Sequence, residues 1–113
     1  MKIIEKIPSR KFRTGLQKQI IIKDSGKIVL DDDEQVTFYS ENKKEYDVTK
    51  KNWGYYATPS VNNRLKMFNY STAFVENSLG NHFIMIVDNE KKDLFKKYVE
   101  EEKLTVIKWL SNE

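Results

Sequence analysis

The longest uninterrupted apolar run in this chain is "FIMIV", residues 83 to 87. Five residues suffice for a strand and fall far short of the 18 or more that a membrane-crossing helix requires. Every other apolar run is shorter, and clusters of Gly, Pro, Asn, Asp and Ser punctuate the spaces between them. A chain of this kind folds as short elements joined by tight turns. Its 113 residues suffice for one two-layer core, so we expect a single α+β domain over residues 1–113.

Local patterns predict the elements. "KIIEKIP" reads as a strand ending before Pro8, and "SRKFRTG" as a basic loop. "KQIIIKD" and "GKIVLD" read as a hairpin about Asp24, Ser25 and Gly26. "EQVTFYS" and "KEYDVTK" alternate with period two; in the second, Tyr46 and Val48 share one face, and Glu45, Asp47 and Thr49 the other. The meander continues through "NWGYYAT", where Gly54 implies a bulge or a close backbone approach, and stops at Pro59. Val61, Leu65 and Phe68 have helical spacing, which predicts a helix over 61–68 capped by Thr58 or Ser60.

"STAFVENS" and "FIMIVDN" are two further strands, the second expected to be buried on both faces because it does not alternate. The helix "EKKDLFKKYVEEEK", residues 90 to 103, carries Leu94, Phe95, Tyr98 and Val99 as a stripe that should lie on a sheet, with Asp88 or Asn89 as its cap. "LTVIKWL" closes the chain as a strand expected to pair in parallel with "FIMIV" through a right-handed crossover. Together these predict a mostly antiparallel curved sheet of about six or seven strands, one short helix and one longer amphipathic helix near the C-terminus.

Composition excludes several chemistries. The chain has no cysteine, which removes disulfides, thiolate metal sites, cysteine nucleophiles and iron-sulfur clusters. Glu5, Lys6 and Pro8 interrupt the apolar core that an export signal needs, so a cytoplasmic location and no membrane contact are expected. Abundant Lys, Asn and Ile point to an AT-rich bacterial genome, and that bias accounts for a net charge of +3 without any anionic partner.

No catalytic set assembles from these residues, and a non-catalytic protein is expected. His82 is the only histidine, with no carboxylate close to it in sequence. The four glycines are isolated, so no phosphate-cradling loop exists and no cofactor is expected. "DDDE", residues 31 to 34, lacks the spaced ligands and central glycine of a calcium loop, and reads as a solvated turn.

Two surfaces qualify as sites. "KNWGYYATPSVNNRL", residues 51 to 65, places Trp53, Tyr55 and Tyr56 near Asn62, Asn63 and Arg64. Rings in strands usually pack, with Trp53 and Tyr55 in the core, whereas an aromatic floor with amide and guanidinium donors would suit a sugar or sugar nucleotide. The alternative is single-stranded nucleic acid held by Lys11, Arg13 and Lys18 of the basic segment 1–23, whose only acid is Glu5. A protein partner or a homo-oligomer is also open.

The string "EYDVTKKNWGYYATPSVNNRL" and the ending "FIMIVDNEKKDLFKKYVEEEKLTVIKWL" resemble a family of short uncharacterised bacterial proteins that accompany genes for surface-polysaccharide and sugar-nucleotide biosynthesis. The resemblance implies a setting in glycan assembly. It implies no catalytic residues.

Overall fold

The computed structural model describes residues 1–17 and 19–110. Their elements run β1 (Lys2–Thr14), β2 (Ile20–Val29), β3 (Gln35–Tyr39), β4 (Glu45–Lys51), β5 (Gly54–Ala57), α1 (Arg64–Met67), β6 (Tyr70–Glu76), β7 (His82–Asp88), α2 (Lys92–Glu101) and β8 (Thr105–Trp109). The class is α+β, and the strand pairings are antiparallel. The eight strands among the described residues do not make one curved sheet. They form three small ones, ordered β1-β2, β3-β4-β5 and β7-β6-β8. The contacts divide the described residues into two compact units, 1–15 with 19–58, and 16–17 with 59–110.

In the first unit, β1 runs through Pro8 and the segment expected as a loop, while β2 runs through the Asp24-Ser25-Gly26 cluster expected as a turn. The register supplies the reason. Glu5 opposes Gly26 and Arg10 opposes Asp24, so residues 6–9 bulge out of β1 opposite Ser25. Pro8 has no N–H for a ladder, and within a bulge none is needed. Lys6 Nζ donates to Asp24 Oδ2 at 2.6 Å and Arg10 Nε to the same oxygen at 3.3 Å, tying the bulge to β2. Gly26 has φ +149°; a Cβ there would press into the Ile4 carbonyl oxygen and sit 3.0 Å from Glu5 Cα. Turn chemistry in the sequence therefore serves a bulge.

The β3-β4-β5 meander forms as the alternation predicts, but its polar side is the more buried one. Asp47 is 1% exposed and Thr49 is buried, whereas Tyr46 and Val48 are half-buried and Phe38 is exposed. Thr49 Oγ1 and Thr58 Oγ1 both donate to Gln35 Oε1, at 3.3 and 3.4 Å, so this buried face satisfies its hydroxyls across strands.

In the second unit the N-cap of the short helix is Asn63 and not Thr58 or Ser60, while Ser60 accepts from the first helical amides, its Oγ from the Arg64 N–H at 3.1 Å and its carbonyl from the Leu65 N–H at 3.0 Å. Residues 61–63 are turn, so α1 is shorter than the spacing predicts. Asp88 Oδ1 accepts from the Glu90 N–H at 3.0 Å and starts a 3-10 turn that leads into α2. The helix ends where Lys103 takes φ +52° and the Leu104 N–H returns to the Val99 carbonyl at 2.9 Å.

β6 is the central strand, and Ala73 and Val75 on it are fully buried with Val87 of β7. β8 pairs antiparallel with β6 instead of lying parallel beside β7. A bulge at Ile107 lets Val75 oppose Val106 and Ala73 oppose Trp109, which brings both β8 side chains to the core despite their odd spacing. β7 is an edge strand, so its Phe83 and Ile84 are exposed rather than buried on both faces. Of the α2 stripe, Phe95 packs on the core, edge-on to Trp109 at 5.9 Å, and Val99 is half-buried. Leu94 and Tyr98 face solvent.

Gly26→Ala is expected to lower stability by about 2–3 kcal/mol in urea denaturation, through clash and strained φ together. Gly80→Ala, with φ +83° and nothing within 4 Å of its would-be Cβ, should cost about 1 kcal/mol. The Lys6 ammonium foremost, with the Gly26 N–H and Arg10, holds the Asp24 carboxyl below its ordinary value of 3.8. A lowered carboxyl stabilises the fold fully above that ordinary value and loses its contribution as pH falls through the lowered one. Stability measured from neutral pH to pH 2 should therefore fall less for Asp24→Asn than for the parent.

Candidate functional site

The β4-β5 turn is made by Asn52 and Trp53, between the paired residues Lys51 and Gly54. Gly54 has φ +145° with no atom near its would-be Cβ, so it is there for backbone freedom and not for a close approach. This turn lifts Trp53 out of the ladder. The indole is 67% exposed, Tyr55 62% and Tyr56 43%, which overturns the expectation that Trp53 and Tyr55 are core. Trp53 stacks on Tyr56 with centroids 6.1 Å apart and planes inclined by 21°. On the opposite side of β5 the Lys50 ammonium lies 5.8 Å from the Tyr55 ring centroid.

Residues 31 to 34 order the lysines beside these rings. Asp32 accepts from Lys50 Nζ at 2.9 Å and Asp33 from Lys51 Nζ at 2.5 Å, while Glu34 accepts from the Met1 ammonium at 3.0 Å. The Asp33 carboxylate raises the Lys51 pKa above its ordinary value. The acidic turn is therefore a clamp on β4, extending the ladder through the Asp33 N–H to the Lys50 carbonyl at 2.8 Å. Around the rings, charge is balanced at short range.

Asn62, Asn63 and Arg64 belong to the second unit, at the start of α1. Asn62 and Asn63 are exposed, and the half-buried Arg64 holds its guanidinium 5.9 Å from the Phe68 centroid. The aromatic residues and the amide-guanidinium group thus fall in different units. Lys11 and Arg13 lie on β1, where with Phe12 and Ile21 they line a surface depression of about 220 Å³. Lys18 lies outside the described residues.

His82 has a partner that sequence proximity did not reveal. It opposes Glu76 across the β6-β7 ladder, with Nε2 3.0 Å from Glu76 Oε1 and its ring 5.0 Å from Phe74. Six residues separate the pair in sequence, so only the hairpin register could have found it. Among the described residues no three His, Asp or Glu side chains converge as metal ligands, and no helix is long and apolar enough to cross a membrane. Comparison with family models, with curated proteins and with solved structures finds no match to this chain.

Trp53→Ala should change unfolding free energy by less than about 1 kcal/mol, because an exposed ring loses little on truncation. Trp109→Ala, which strips a ring from the β6 core and from Phe95, should cost about 3 kcal/mol. Urea denaturation of the two variants checks both.

Proposed function

We propose that this chain is a small cytoplasmic, non-catalytic binding module whose ligand is a sugar or sugar nucleotide, recognised at the β4-β5 hairpin. The observation that carries the reading is the exposure of Trp53, Tyr55 and Tyr56 together. Rings in strands ordinarily pack, and here Trp53 and Tyr56 stay in solvent, stacked on one side of β5 as a surface available to a flat, ring-shaped ligand, with Tyr55 exposed on the other side. Trp53 and Tyr56 supply a stacked apolar face. Asp33 holds Lys51 on the Tyr56 side of the ladder, Asp32 holds Lys50 beside Tyr55 on the other side, and Asn52 in the turn brings an amide with both donors and an acceptor.

The choice of sugar chemistry over other ring ligands comes from the resemblance of "WGYYATPSVNNRL" to proteins that accompany surface-polysaccharide and sugar-nucleotide genes. Asn62, Asn63 and Arg64 carry further donors of the right kind for hydroxyls and phosphates, and belong to the proposal as a separable set.

Titration of a panel of sugar nucleotides and free sugars, read by isothermal titration calorimetry, tests this. Binding should be measurable in the parent and weaken at least ten-fold in Trp53→Ala and Tyr56→Ala, with unchanged denaturation midpoints. Asn62→Ala and Arg64→Ala report separately on the second set. Loss of binding in none of these variants, or no binding to any of the panel, defeats the reading.

A further inference from the structure

We propose that the β1-β2 ribbon binds the phosphodiester backbone of nucleic acid through one of its two faces. This surface is separate from the aromatic hairpin, and the inference stands or falls without it.

The register sorts the ribbon's charges. Lys11 opposes Lys23 and Arg13 opposes Ile21, so in the half nearer the connecting loop one face carries Lys11, Arg13, Lys23 and Ile21. In the other half Lys2 opposes Val29 and Ile4 opposes Lys27, and alternation along β2 puts Lys23, Lys27 and Val29 on the same side of that strand. This face bears five cations and no carboxylate. The acids of the two strands, Glu5 and Asp24, lie on the other face, where Asp24 pairs with both Lys6 and Arg10 and the remaining positions are mostly apolar, Ile3, Phe12, Ile22 and Ile28 among them.

The two faces differ in more than composition. On the Asp24 side Lys6 and Arg10 each reach a carboxylate. On the other side Arg13 donates only to a neutral amide oxygen, Gln19 Oε1 at 3.1 Å, and no carboxylate among the described residues pairs with Lys2, Lys11, Lys23 or Lys27. Lys11 and Lys23 are direct cross-strand neighbours, an arrangement that destabilises a ladder when nothing bridges it. An anion lying between them converts that repulsion into two attractions. Beside this pair, Lys11 and Arg13 line a surface depression of about 220 Å³ together with Phe12 and Ile21.

A repeating polyanion fits better than a single anion. The cations are strung along the ribbon, with Lys11 and Arg13 about 7 Å apart and Lys23 and Lys27 about 13 Å apart at extended-strand spacing. The β1-β2 sheet has no third strand, and most of its residues are exposed on both faces. A two-stranded ribbon of that kind is narrow enough to follow a phosphate backbone or to enter a major groove.

Fluorescence anisotropy with a labelled 20-nucleotide single strand and the matching duplex tests the proposal. Binding should be present at 50 mM salt. With about three phosphates engaged by Lys11, Arg13 and Lys23, it should weaken about twenty-fold for the single strand and about forty-fold for the duplex on going to 200 mM. Lys11→Gln combined with Lys23→Gln should flatten the single-strand dependence of log affinity on log salt by about 1.4. The same double variant should unfold at an equal or higher temperature, since it relieves a like-charge pair. Lys91→Gln with Lys96→Gln, two exposed cations of the second unit, should leave the salt dependence unchanged. Binding of one nucleic-acid form only identifies which backbone is used. The proposal is overturned by no binding to either form at 50 mM salt, by binding to phosphatidylglycerol vesicles alone, or by equal losses in the two double variants.

Discussion

Antiparallel backbone pairing is the constraint on which this chain depends, because the burial of apolar side chains is concentrated in one small place. Ala73, Val75 and Val87 form the buried cluster of the second unit, closed by Met85, Phe95, Leu104, Val106 and Trp109. The isoleucines of β1 and β2 mostly remain in solvent. A two-stranded ribbon with so little burial is marginal in water unless local chemistry supports it. Here that support is the Asp24 carboxylate gripping Lys6 and Arg10 across the bulge, and a glycine where the Ile4 carbonyl leaves no room for a side chain.

The same pairing explains how the two candidate surfaces acquire opposite electrostatic character. At the β4-β5 turn the acids of residues 31 to 34 are brought against Lys50 and Lys51 by a ladder that continues past the start of β3, so the rings stand in a charge-balanced setting. On β1-β2 the register sends both acids to one face and leaves five cations on the other. A stacking ligand suits the first arrangement, and a polyanion suits the second. Neither property depends on the net charge of the chain, which is small. It depends on which residues are opposed.

The sequence by itself determined the class and most of the local elements. Period-two alternation marks β3 and β4, and helical spacing and Asp88 mark the start of the α2 region, because each of these signals lies within a few residues of the structure it specifies. The strand carrying Tyr55 and Tyr56 was equally visible, although Trp53 sits in the turn before it. Tertiary structure alone decided what those elements face. The partner of β8, the bulge at Ile107 that turns Val106 and Trp109 inward together, the buried polar side of β4 and the Glu76–His82 pair all depend on contacts that no local period encodes. The largest departure has the same origin: Asp24-Ser25-Gly26 is good turn chemistry, yet the strand continues through it because residues 2–14 supply a partner that turn propensity cannot anticipate. Exposure of Trp53, Tyr55 and Tyr56 belongs with these, since a ring's period along a strand assigns it to a face, and only the packed chain determines whether anything covers that face.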